Sequence, residues 1–92
     1  MHEGQLAMWR VVAHEEWGLL VELEGDSAVV GSIAAPYIRD LGENESIEGT
    51  QDFPPIGSVL AAMVRIVWPD GALHLSARQS DVQAAESRNE AN

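Results

Sequence analysis

Leu19, Val21 and Leu23 alternate with Leu20, Glu22 and Glu24, the period of two by which a half-buried strand turns one set inward and the other toward water. The alternation begins behind Trp17-Gly18. A glycine just inside an apolar strand weakens it unless a bulge or a close backbone approach requires it, so Trp17-Gly18 reads as a bulge. Gly25-Asp26 then supplies a turn, and Ala28 to Ser32 returns as a further strand, completing a hairpin. Ahead of it, Leu6 to Glu15 is dense in apolar residues and holds the β-branched Val11 and Val12, which favour a strand over a helix. Glu15-Glu16 makes a polar break short enough for the two strands to be antiparallel neighbours.

The second half repeats the pattern. In Val59 to Trp68, Leu60, Ala62, Val64 and Ile66 share one face while Met63 and Arg65 share the other. That phase carries Trp68 inward, into the core or the end of a barrel. Pro69-Asp70-Gly71 is a turn in which proline presets φ and glycine supplies φ > 0, and Ala72 to Arg78 follows as the last strand with Leu73 and Leu75 inward. Between the hairpins, Ile33 to Pro55 is irregular. Pro36 can open one helical turn through Tyr37, Ile38 and Leu41, with Gly42 as its stop. Residues 79–92 are polar and rich in Ala and Glu, a frayed or weakly helical tail to a domain of residues 1–78. Five short strands with a long insertion after the third fit an all-β architecture, a small OB-type Greek-key barrel. The missing alternation of strand and helix excludes a doubly wound sheet.

Charge changes the picture more than size does. Ninety-two residues make one domain that buries about 60 to 65% of its unfolded surface. With no cysteine there is no disulfide framework or thiolate metal site, which fits a reducing compartment. No basic-then-apolar leader and no apolar run near the roughly 18 residues of a membrane span is present, so a soluble cytoplasmic protein with no membrane contact is expected. Fifteen acidic residues face five arginines and no lysine, a formal net charge of -10. That field repels phosphates and attracts basic partners. The acidic loop with Glu43, Glu45, Glu48 and Asp52 is the candidate surface for a basic protein.

Catalytic chemistry finds no constellation. His2, His14 and His74 lack the spacing of a zinc site, and His14-Glu15-Glu16 is not the helical two-histidine motif. No nucleophile elbow and no phosphate loop is present. Glu22 and Glu24 on one strand face read as a solvated surface rather than an acid-base pair. No enzyme, cofactor, metal or small-molecule substrate is expected.

Val11 followed by Trp17-Gly18 and Val21, the strand Ser27 to Ser32, and the closing set Ile56-Gly57, Val59, Ala62, Val64, Leu73, Leu75-Ser76 and Arg78 together resemble the S-one RNA-binding domain, the OB-fold repeat named after the first small-subunit ribosomal protein. The resemblance runs from about Gln5 to Arg78. It implies a non-enzymatic module for single-stranded RNA whose nucleic-acid-facing positions correspond to Trp17, Leu20, Val30, Trp68 and Ala72, of which only Trp17 keeps the family's residue type. Trp17 has two readings, a ring that stacks on a base or one that lids or fills the barrel. Trp9 reads as structural. With Arg10 and Arg78, the candidate RNA-binding residues are Trp17, Leu20 and Trp68. Arg65 and Arg78 can meet on the sheet, against the simpler pairing of arginines with the abundant carboxylates. The alternative, drawn from the charge, is an acidic protein-interaction module on the same fold that docks on a basic partner as an inhibitor, an antitoxin-like protein or a ribosome-associated factor.

Overall fold

The computed structural model describes residues 1–43, 45 and 52–90. Five strands, β1 (Leu6–Glu15), β2 (Gly18–Leu23), β3 (Asp26–Ala34), β4 (Val59–Val67) and β5 (Leu73–Ser76), close into a barrel in the order β1-β2-β3-β5-β4. Neighbours are antiparallel except β3 and β5, which run parallel and meet at one register position, Ser32 opposite His74. Inside lie Trp9, Val11, Leu19, Val21, Ile33, Ala62, Val64 and Leu75, all fully buried. The alternation expected for β2 holds: Leu19 and Val21 are in the core, Leu20 and Glu24 are exposed.

Two inserted residues, in β1 and β4, and a register shift between Glu22 and Leu23 in the β2–β3 ladder change what the simple period implies. Trp17-Gly18 is not a bulge. Glu15 stands opposite Gly18, so Glu16-Trp17 is the turn of the β1–β2 hairpin, and the irregularity lies at Val12, between Val11 and Ala13. Beyond it His14, opposite the buried Leu19, turns toward the barrel end. There it meets Phe53 edge-to-face at 5.4 Å, and its Nε2–H donates to the Pro54 carbonyl at 2.7 Å. These contacts fasten the end of the long loop to the barrel. The second irregularity lies at Arg65. Val64 faces the buried Leu75, but Ile66 falls opposite His74 and Val67 opposite Leu73. Val67, not Ile66, therefore packs on the core. The same half-turn carries Trp68 outward, where it is 48% exposed, correcting its expected place inside. At the β2–β3 hairpin the turn is Glu24-Gly25, one residue earlier than expected, with Leu23 opposite Asp26. The helical turn is also shorter than expected, a single 3-10 turn over Ala35–Tyr37 with Pro36 in its first positions.

The segment expected to be frayed or weakly helical forms a helix, α1 (Gln79–Glu90), which buries Val82 and Ala85 and packs on β4 and β1. Its N-terminus is held from outside. Asp40 accepts from the Ser80 hydroxyl at 2.6 Å and the Ser80 backbone N–H at 3.1 Å, satisfying a donor that the helix itself leaves unpaired. Asp81 accepts from the Ser76 hydroxyl and from Arg78 Nε at 2.8 Å. Hydrogen bonds from Ser80 hold the Asp40 carboxyl below its ordinary value, and the Ser76 hydroxyl and Arg78 do the same for Asp81. A carboxyl depressed in the folded state stabilises it fully above the unfolded pKa, about 3.9, and loses that contribution as pH falls through the folded value. Melting curves from pH 6 to about pH 2.5 should therefore show wild type above Asp81→Asn near neutrality and the gap closing below pH about 4. A constant gap would separate the Asp81 carboxyl from acid sensitivity.

Among the described residues, no helix is long and apolar enough to cross a membrane, and no group of three or more His, Asp or Glu side chains is placed to hold a metal ion.

Candidate nucleic-acid interface

Strand register builds one outward face from β1, β2, β3 and β5. Inward positions of β3 are taken by Val29, Gly31 and Ile33, so Val30 and Ser32 point out. Across the strands two outward rows follow. One runs Arg10, Glu22, Val30; the other runs Ala13, Leu20, Ser32, His74. Adjacent strands lie about 4.8 Å apart, so Leu20, Ser32 and His74 are successive neighbours. Leu20 is 36% exposed and Val30 50%. With Gly31, Ser32, Ala72 and Leu73 they line a shallow cleft of about 150 Å³. Trp68 stands at its edge: its backbone N–H donates to the Ala72 carbonyl at 2.9 Å, and its indole lies 5.7 Å from the His74 ring.

The ends of this face differ in charge. Toward the Glu24-Gly25 turn, Glu22, Glu24 and Asp26 line a depression with Arg10. Arg10 is committed there, with Nη2 2.9 and 2.8 Å from the two Glu24 carboxylate oxygens and Nη1 donating to the Gly57 carbonyl. At the opposite end, β3 leads into the 3-10 turn, where the Ala77 N–H donates to the Tyr37 carbonyl at 2.8 Å. The Tyr37 ring carries the Arg65 guanidinium 3.6 Å from its centroid and that of Arg78 at 4.6 Å. Arg78 also pairs with Asp81 at 2.8 Å.

The expected site residues divide accordingly. Leu20 and Trp68 flank one cleft. Trp17, 47% exposed, occupies the β1–β2 turn, and its carbonyl accepts from the Ala35 N–H at 2.8 Å, at the Tyr37 end. Arg78 is at that end too, whereas Arg10 lies in the acidic corner. Of the acidic loop, Glu43 and Asp52 are exposed. Glu45 accepts from the Gly42 N–H at 2.7 Å and from Arg39 Nη1 at 3.2 Å, which hold its carboxyl below the ordinary value. Glu48 lies outside the described residues. His74 and Tyr37 join the face without having been singled out as candidates from the sequence, and Arg65 meets Arg78 there, on the Tyr37 ring, as one of the two readings of these arginines has it. An outward position in an otherwise apolar strand marks His74; nothing local marks the pairing of Tyr37 with Arg65.

No protein-family model and no curated protein matches the sequence. Solved structures do. A chain of the a/eIF2alpha–aDim2p–rRNA complex from Pyrococcus horikoshii is similar over 98% of this chain and 54% of its own, at 19% identity and a TM-score of 0.74. The intact alpha subunit of aIF2 from Pyrococcus abyssi is similar over 98% of this chain and 34% of its own, at 19% identity and a TM-score of 0.72. GSP13 from Bacillus subtilis is similar over 87% of this chain and 58% of its own, at 17% identity and a TM-score of 0.69. This chain thus spans between a third and three-fifths of each of these longer chains. At such identities the likeness is one of fold, and with the closed five-stranded sheet it establishes the OB-type barrel that the sequence resemblance implies.

Proposed function

We propose that the protein is a non-enzymatic module that holds a short segment of single-stranded RNA across the outward face of β2, β3 and β5. The observation that carries the reading is the exposure of Leu20, Val30 and Trp68 around one cleft, with the Trp68–His74 ring pair at its edge and Trp17 exposed in the β1–β2 turn of the same face. Exposed indoles offer stacking that tolerates any base, about 1–3 kcal/mol each. The similar fold in a complex that contains rRNA supports the same reading. A net charge of -10 opposes it electrostatically, so affinity rests on stacking and desolvation; binding is weak, and with few phosphates neutralised it falls only shallowly with salt.

Titration of a labelled single-stranded oligonucleotide at low and moderate salt tests this. Saturable binding is expected at low salt, and Trp68→Ala and Trp17→Ala should each weaken it by roughly 5- to 150-fold, the equivalent of one stacked base. Absence of binding at low salt overturns the proposal. A second reading then stands on the exposed carboxylates Glu24, Asp26, Glu43 and Asp52: docking on a basic protein, which a pull-down that recovers only nucleic acid would contradict.

A further inference from the structure

Five arginines serve an otherwise acidic chain, and the described contacts sort them. Arg10 is paired with Glu24, Arg39 with Glu45 and Arg78 with Asp81. Arg88 lies outside the face, donating to the Met63 sulfur from α1. Arg65 differs. Among the described residues no carboxylate stands within ion-pair distance of it: Asp81, paired with Arg78, feels its charge only from farther off, and its contact is with the face of Tyr37. A guanidinium seated over an aromatic face spends no N–H donor on that contact, which leaves it the planar fork that suits a phosphate bidentately. The irregularity in β4 that inserts Arg65 is the one that turns Trp68 outward. Arg78 on the same ring makes this end the place where two of the chain's five cations come together.

We infer that Arg65, braced on Tyr37, is the phosphate-contacting residue of the face, gripping the sugar-phosphate backbone of a strand whose bases lie along Leu20, Ser32 and His74. This rests on the RNA reading above and adds to it where the backbone runs and which cation carries it. Neither Arg65 nor Tyr37 stands at a position that the sequence resemblance marks. Arg10, although on the same face, takes no phosphate because Glu24 already occupies its fork.

The test measures log affinity against log salt for an oligouridylate of about ten nucleotides. One phosphate neutralised on a single strand contributes about 0.7 to the slope. Arg65→Gln should reduce the slope by about that amount, while Arg10→Gln leaves it unchanged. In the unaltered protein the Arg65 Nε–H resonance should shift during the titration and that of Arg10 should not, a readout that does not depend on the variant's folding. An unchanged slope for Arg65→Gln with a silent Arg65 resonance, or an equal drop for both variants, overturns the inference while leaving RNA binding standing. Failure of the unaltered protein to bind at low salt removes both.

Discussion

Gly18→Ala is expected to be among the most destabilising single substitutions in the barrel. An alanine Cβ at this position would lie 2.1 Å from the Ile33 carbonyl oxygen and 2.9 Å from both Ala34 Cα and Ala35 N, all backbone atoms, at a φ of +151°. No rotamer can relieve such a contact. The backbone would have to part where Gly18 faces Ala34 and where the Ala35 N–H donates to the Trp17 carbonyl. A loss of about 3–5 kcal/mol is expected, a large share of the roughly 5–15 kcal/mol that holds a domain folded. Gly25→Ala is the control. Its φ of +91° costs an alanine about 1–2 kcal/mol, but nothing lies within 4 Å of the added carbon. Urea unfolding of both variants checks the contrast, and equal losses would mean that positive φ alone, not the close approach of β3, sets the requirement at Gly18.

Trp9→Ala should be nearly as damaging, at about 3–5 kcal/mol. The indole is fully buried between Leu23 on β2 and Leu60 on β4, and a chain this small has little else with which to fill the space. Trp9→Phe should be far milder. The Trp9 Nε1–H is buried without a hydrogen-bond acceptor among the described residues, and an unsatisfied donor costs about 1–3 kcal/mol. Phenylalanine removes that donor along with part of the ring, so the two effects offset. Denaturant midpoints for the pair decide the matter: a phenylalanine variant as unstable as the alanine one would mean that packing alone governs the site.

The barrel was legible because its strands obey the period-two rule wherever the ladder is regular. β1 begins at Leu6 and ends at Glu15 as its apolar density indicates, and Leu19 and Val21 are buried opposite exposed Leu20. The rule fails at Val12 and Arg65. An inserted residue leaves no mark in composition, yet it reverses every position after it, which is why Trp68 was expected inside and why His14 meets Phe53. The helix α1 escaped for another reason. Its apolar face is little more than Val82 and Ala85, and the carboxylate that caps it, Asp40, lies 40 residues away. The face was legible in part. Trp17, Leu20, Trp68 and Arg78 are exposed or half-exposed residues that a sequence can nominate, whereas the stack of Arg65 on Tyr37 joins strand β4 to the turn after β3 and exists only once the chain has folded.

The parallel contact that closes the cylinder carries a consequence for timing. Ser32 donates to the Leu73 carbonyl across 41 residues of sequence, and its neighbour in the row, His74, comes from the last strand. Contacts of such separation require a costly loop closure, though a shorter one than the β1–β4 pairing of Leu6 with Met63, and this one waits on the last strand to be made. A growing polypeptide that has emerged only through Trp68, just past β4, therefore owns Leu20 and that indole but not the surface that unites them, and it acquires its groove in a single closing event when β5 arrives.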